Sequence, residues 1–466
     1  MQDNFSIQEI VKATQGRLIG KIPPISFISP HQICTDTRNL QKGDLFVALV
    51  GGKFDGHQFV EESGEKGACG AIVSEPIYPP RRDFFLLQVK DTLRALQELA
   101  RYHQRRLSLP LIAVTGSNGK TTVKEMIWQI LSQEYPVLKS EGNFNNQIGV
   151  PLSLLGLSSI HKLGVFEMAM NSRGEIQRLA EIVEPRIGVI TNIHHSHVGF
   201  LGSLEEIKEA KAELVPLLSR DPTNWLVLNN DSEWTPELTS RARCEVITFG
   251  IGQGSDVGAD GIQSHHGVTE FTLTSRKGKI PIHLMVPGEY NVSNALAACA
   301  VALILGVPLP TMARVLSNFQ LPPMHSQIYL LDKYKIIDDS YNANPESMEQ
   351  ALKLLKEIRG GRKVAILGDM LELGDAAEFF HYKIGRLMGE LDIQALFALG
   401  KYSYKTVVGA KEAGIEKAFF FQDKKSLIEK LLTFLKENDC LLVKGSREMR
   451  MEEVIDRLRM RLCSST

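Results

Sequence analysis

The stretch Thr115-Gly116-Ser117-Asn118-Gly119-Lys120-Thr121-Thr122 decides the reading of this chain. It closes an apolar run, LIAVTG (residues 111–116), that reads as a buried strand. It opens GKTTVKEMIWQIL (residues 119–131), where Val123, Ile127, Ile130 and Leu131 recur at helical spacing. Strand, glycine-rich turn and helix together make a phosphate cradle. Gly116 and Gly119 let the backbone turn tightly and aim N–H groups inward. The helix N-terminus behind them favours anions. Lys120 can reach outer phosphates, the Thr121 hydroxyl suits magnesium, and Ser117, Asn118 and Thr122 complete the candidate nucleotide contacts. The plain alternative is an ordinary strand-to-helix turn, and Gly-Lys-Thr directly after a buried strand argues against it. The spacing is short: only Ser117 and Asn118 separate Gly116 from Gly119, whereas the general loop GxxxxGK[ST] has four residues there.

Outward from this loop the chain alternates. GVFEMAM (164–170), IGVIT (187–191) and WLVLN (225–229) are further apolar strands separated by helical segments, which predicts a mostly parallel sheet covered on both faces. Upstream, the helical stretch DTLRALQELARYHQRRL (91–107) follows a Pro-rich break, IYPPRRD (77–83). Its Arg101, Arg105 and Arg106 read as cations complementing the helix dipole. A second break, QLPPMHS (320–326), precedes renewed alternation: KIIDD, KVAILGD, ALFALG and CLLVKG. The fold class is therefore α/β in three domains: an N-terminal domain over 1–86, a central P-loop, ATPase-like parallel-sheet domain over 87–322, and a C-terminal Rossmann-like domain over 323–466.

Composition narrows the function. The 466 residues carry a net charge of −1, so no basic surplus favours a nucleic-acid partner. The six cysteines include no CxxC pair, which argues against a zinc or disulfide framework. The longest apolar stretch, residues 295–307, is too short to span a bilayer, and the first residues lack the pattern of a signal peptide. The expectation is a cytoplasmic protein without membrane insertion, acting as a monomer.

Three constellations flank the loop. Glu167 sits within a strand, where a carboxylate needs a cation, a donor or an edge position facing water; magnesium is one such cation. TNIHHSH (191–197) places His194, His195 and His197 after a strand, and on local grounds a zinc or iron site is an alternative. GFLGSLEEIKEAKAEL (199–214) carries Lys211, which by itself reads as a solvated helix residue.

The shortened loop resembles that of the Mur ligases and their folylpolyglutamate synthetase relatives, which join a carboxylate to an amine using ATP. That resemblance implies ATP and Mg2+, with Lys120, Glu167, His197 and Lys211 as the catalytic set. The metal ligands would be Thr121, Glu167, His197 and Lys211, the last as a carbamate. GEYNVSNALAA (288–298) resembles the family's adenine-contacting segment and implicates Asn291 and Asn294, although Ser293 and Asn294 also suit a helix cap. Where many relatives carry an Arg near the nucleotide, this chain has His325; Asp339 completes the implied nucleotide set.

TDTRNLQKGDLFVALVGGKFDGHQF (35–59) resembles the family's UDP-sugar domain and implicates Thr37 and Arg38, the latter equally suited to a structural ion pair. EGNFNNQIGVPLSLL (141–155) and DDSYNANPESM (338–348) resemble the branch that adds D-alanyl-D-alanine to UDP-N-acetylmuramoyl-tripeptide. They point to Asn145, Asn146, Tyr341, Asn342 and Asn344 as substrate contacts. LGDMLELG (367–374) and KGSREMRME (444–452) extend the likeness, and the DNPR motif of the diamino-acid-adding branch does not occur. The implied activity is a step of peptidoglycan synthesis. A regulatory NTPase, or a non-catalytic UDP-sugar-binding module on the same fold, are the competing classes.

Overall fold

The computed structural model describes residues 3–20, 27–52, 54–194, 198–265 and 267–463. Three main sheets follow one another along the chain, built largely from short apolar runs buried on both faces. The first has five strands in the order Arg17–Ile19, Phe85–Gln88, Gly70–Val73, Leu45–Val47, Ile33–Cys34, parallel except for the outermost Arg17–Ile19. The Pro-rich break at 77–83 joins two neighbouring strands of this sheet, so it is an internal loop. The boundary drawn at residue 86 accordingly falls inside the strand Phe85–Gln88.

The helix Thr92–Leu107 begins beyond that strand, where the Asp91 side chain accepts from the Arg94 N–H and caps it. Leu96, Leu99 and Ala100 are fully buried on its inner face, in one core with Phe5 and Ile10 from the first domain and Leu154 and Phe166 from the second. Its arginines do more than complement a dipole. Arg101 donates to the Glu184 carboxylate at 2.9 Å, and Arg105 pairs with the same group, tying this helix to the end of the helix Glu175–Val183.

The central sheet has nine strands in the order Gly278–Leu284, Val268–Ser275, Val257–His265, Glu245–Gly250, Trp225–Asn229, Ile187–Ile190, Leu111–Thr115, Leu163–Glu167, Val137–Lys139. The strands from Val137–Lys139 to Glu245–Gly250 are parallel, and the last two hairpin strands are antiparallel. The strand Leu111–Thr115 lies between the strands Leu163–Glu167 and Ile187–Ile190. From it the chain leaves first to one side and then to the other, a topological switch whose crevice opens at the carboxyl ends of the strands. The helix Lys120–Leu131 buries Val123, Met126, Ile127, Ile130 and Leu131 completely. It packs against the helix Glu289–Ile304, whose run of alanines permits close approach on several sides. That helix starts at Glu289 with Gly288 as its cap residue, so Ser293 and Asn294 lie inside it and are not its caps.

The third sheet has six strands in the order Gln327–Leu331, Tyr334–Asp339, Cys440–Lys444, Lys363–Gly368, Ala395–Leu399, Ala418–Phe421. All pairs are parallel except the first, and apolar cores cover both faces. Among the described residues no helix is long and apolar enough to cross a membrane.

Candidate active site

The loop after Leu111–Thr115 is clipped to the segment after Ile187–Ile190. The Ser117 N–H donates to the Asn192 carbonyl at 2.9 Å. The Asn118 N–H donates to Asn192 Oδ1 at 2.9 Å, and the Asn118 carbonyl accepts from Thr191 Oγ1 at 2.6 Å and Asn192 Nδ2 at 3.1 Å. Ser117 Oγ bridges the backbone of His194, accepting from its N–H at 2.9 Å and donating to its carbonyl at 2.9 Å. The two glycines are demanded by this fit. A Cβ at Gly116 (φ +146°) would stand 1.9 Å from Thr191 Oγ1, and one at Gly119 (φ +80°) 2.3 Å from Asn294 Oδ1.

Lys120 folds back over the loop, donating from Nζ to the carbonyls of Gly116 at 2.9 Å and Ser117 at 3.1 Å. Burial lowers its pKa, against the attraction of Glu167. Thr121 Oγ1 donates to Glu167 Oε2 at 2.8 Å, and Asn145 Nδ2 donates to Glu167 Oε1 at 2.8 Å. Glu167 ends an interior strand and is only 2% exposed, so the water-facing edge position does not apply. Its cation is Lys124, fully buried, with Nζ 3.9 Å from Glu167 Oε2 and donating to the Ser140 carbonyl at 2.8 Å. Thr121 and Glu167 present hard oxygens side by side at the start of the helix, a donor set that suits magnesium.

Lys211 departs from its sequence reading. It lies on the helix Leu204–Ala212 but is 1% exposed. The sequence misleads here because a run so rich in charge reads as a solvated face, whereas Ile207, Lys208, Ala210, Lys211 and Ala212 are all buried. Burial, with a smaller contribution from the charge of Lys120, holds its amine pKa well below the ordinary lysine value. His197 and His195 lie outside the described residues; His194 lines the cavity.

The C-terminal domain supplies the opposite wall of a cavity of about 390 Å³. It is lined by Ser117 to Thr122, Asn145, Glu167, Asn291, Asn294, His325, Asp339, Tyr341, Asn342 and Asn344. Asn291 Nδ2 donates to the Pro287 carbonyl at 2.7 Å and Asn291 Oδ1 accepts from Asn294 Nδ2 at 3.1 Å. His325 stacks on Tyr341 with ring centroids 4.3 Å apart, and its Nδ1 meets the Pro323 carbonyl at 2.7 Å. Burial lowers its pKa, which favours the neutral ring. Asp339 pairs with Lys444 at 2.5 Å; that lysine also donates to the Asn342 carbonyl at 2.9 Å.

Lys211 is not among the residues that line this cavity, and three further sequence candidates stand apart from it. Arg38 is exposed and pairs with Asp36 at 2.6 Å, while Thr37, mostly buried, offers its carbonyl to Lys66 at 2.9 Å. Asn146 is exposed, and its Oδ1 accepts the Ile148 and Gly149 N–H groups at the start of the next helix. Sequence reading also missed Lys124, Thr191, Asn192 and Lys444. Asn192 stood inside a motif read for its histidines, and a buried lysine on a helix or strand carries no local mark.

Comparison with known proteins now assigns the class. Three family models match in chain order: "Mur ligase family, catalytic domain" over 29–104, "Mur ligase middle domain" over 114–302, and "Mur ligase, glutamate ligase domain" over 326–447. The chain belongs to the Mur ligase family and is an enzyme of that class. Within it, the chain is 36% identical to the UDP-N-acetylmuramoyl-tripeptide--D-alanyl-D-alanine ligase of Bacillus subtilis, over 97% of this chain and 96% of that one. The crystal structure of MurF from Acinetobacter baumannii superposes with a TM-score of 0.91 at 34% identity, covering 98% of this chain and 99% of that one. MurF ligase from Thermotoga maritima in complex with ADP gives 0.83 at 25% identity, covering 94% and 100%.

Proposed function

We propose that this enzyme joins D-alanyl-D-alanine to UDP-N-acetylmuramoyl-tripeptide, converting ATP to ADP and phosphate and making the pentapeptide precursor of peptidoglycan. What carries the reading is one cavity that combines the Lys120 loop with the Thr121–Glu167 pair, in a chain similar over nearly its whole length to ligases of that name.

In this mechanism the loop N–H groups and Lys120 hold the ATP phosphates. Lys120 exchanges its two carbonyl partners for phosphate oxygens. The tripeptide carboxylate attacks the γ-phosphorus, the bond from that phosphorus to the bridging oxygen breaks, and ADP leaves an acyl phosphate. The amine of the dipeptide then attacks the acyl carbon, loses a proton, and the C–O bond to phosphate breaks. Positioning and charge neutralisation do most of this work. Thr121, Glu167, His197 and a carbamoylated Lys211 are the proposed holders of Mg2+, which supplies charge neutralisation to the phosphates when bound. Burial of Lys211 and its lowered pKa support the carbamate, because carbon dioxide adds only to a deprotonated amine. Asn291 and Asn294 face the adenine, with His325 and Asp339 beside the nucleotide. Asn145, Tyr341 and Asn342 face the peptide, and Thr37, Arg38 and Asn146 the UDP-muramoyl portion. These substrates put the reaction in the cytoplasm.

The test is a product assay with UDP-N-acetylmuramoyl-tripeptide, ATP and D-alanyl-D-alanine. Pentapeptide, ADP and phosphate in equal amounts are expected. ATP hydrolysis that needs neither co-substrate would identify a regulatory NTPase instead.

A further inference from the structure

The loop residue Asn118 is held by both neighbouring domains. Its backbone belongs to the central domain through Thr191 and Asn192, while its side-chain Oδ1 accepts from Asn344 Nδ2 at 2.7 Å. Asn344 caps the C-terminal domain's helix Pro345–Glu357, its Oδ1 accepting the Ser347 N–H at 2.9 Å.

That cap fixes both amides. A helix N-terminus needs an acceptor, so Asn344 must give its oxygen to Ser347 and turn its NH2 toward Asn118. Asn118 must then offer its oxygen to Asn344, which leaves its own NH2 on the other side. Asn118 Nδ2 is buried and has no partner among the described residues. Asn118 also lines the cavity beside Gly119 and Lys120. A buried donor without an acceptor is costly, and this one sits in a loop built to hold phosphate.

We propose that Asn118 and Asn344 form a latch: Asn118 Nδ2 donates to a phosphate oxygen of the bound nucleotide while its Oδ1 holds the C-terminal domain closed through Asn344. Nucleotide binding and domain closure then favour each other. Each needs the same orientation of one amide, and the helix cap dictates that orientation. Asn344 is on this account a positioning residue, and not a contact to the peptide. The inference rests on the functional reading above.

The test uses the full chain, with ADP as probe. Affinity is measured by calorimetry, and closure by small-angle scattering or by the distance between labels on the two domains. Asn344→Ser keeps a capping acceptor but removes the donor to Asn118; it should weaken ADP binding about tenfold and reduce ADP-dependent closure. Asn118→Ala should do the same. Asn118→Ala with Asn344→Ser should lose little more than either alone, because both break one chain of contacts. Asn344→Asp keeps the cap but turns an oxygen toward Asn118, forcing its amide to flip, and should be weaker still. Additive losses in the double variant, or wild-type closure in Asn344→Ser, would overturn the latch. A wild-type protein that binds no nucleotide would overturn the functional reading itself, and the latch with it.

Discussion

Lys120 begins the helix Lys120–Leu131 and folds its amine back over the glycine turn that precedes it. Its place follows from local order: a glycine turn, a cation and a helix N-terminus. Among the described residues, its hydrogen bonds run to two carbonyls of the loop itself and to no other element. Lys120→Ala should therefore leave the fold intact, seen as an unchanged unfolding midpoint, and abolish ligation; substantial turnover in the folded variant would remove it from phosphate binding. Lys211 was not legible as a buried group, because nothing in EEIKEAKAEL marks its lysines as turning inward. Two neighbours on one helix meet opposite fates. Lys208 is buried too, but Glu205, Glu209 and Glu237 surround its amine and raise its pKa, whereas burial and the like charge of Lys120 lower that of Lys211. Lys211→Ala should lose most ligase activity. Added formate or acetate should restore part of it by supplying the missing anion, with no such rescue in Lys120→Ala. Near-normal turnover of Lys211→Ala without additive would show that no carbamate is needed.

Elements were easier to read than their boundaries. Buried parallel strands announce themselves as apolar runs, and KIIDD, KVAILGD, ALFALG and CLLVKG all became strands of one sheet. The first boundary was misplaced for a physical reason: a Pro-rich segment marks a loop equally well within a sheet or between domains. Pairing between strands was also hidden. Asp339 ends Tyr334–Asp339 and Lys444 ends Cys440–Lys444; the two strands lie side by side, so two charges distant in sequence meet at the mouth of the cavity. Lys444 is 3% exposed. Lys444→Met should strand the Asp339 carboxylate and destabilise the domain by roughly 3–5 kcal/mol. Adding Asp339→Asn should return a good part of that loss in chemical denaturation. A Lys444→Met variant as stable as wild type would show that Asp339 is solvated without its partner.

The whole molecule divides its labour between sheets. The cavity lies between the central and C-terminal domains, and Thr37 and Arg38 stand apart from it on the first. The loop residues Ser117 to Thr122 suit phosphate, so the choice of amine must be made by groups outside the loop. Two segments that resemble the dipeptide-adding branch meet at this cavity from different domains: Asn145 from the central one, and Tyr341 and Asn342 from the C-terminal one. A site assembled from both domains can require an acceptor long enough to touch both, and a buried polar group left unpaired by the wrong acceptor discriminates strongly. The enzyme should therefore use D-alanyl-D-alanine with UDP-N-acetylmuramoyl-tripeptide and reject free lysine or diaminopimelate with the corresponding dipeptide. Competition assays that compare kcat/KM for the two amines check this directly. A preference of at least about a hundredfold for the dipeptide is expected, corresponding to one or two unpaired polar groups with the wrong amine. Comparable turnover of a diamino acid would mean that the amine is selected by the first domain's substrate alone, and that the residues gathered from the other two serve the nucleotide only.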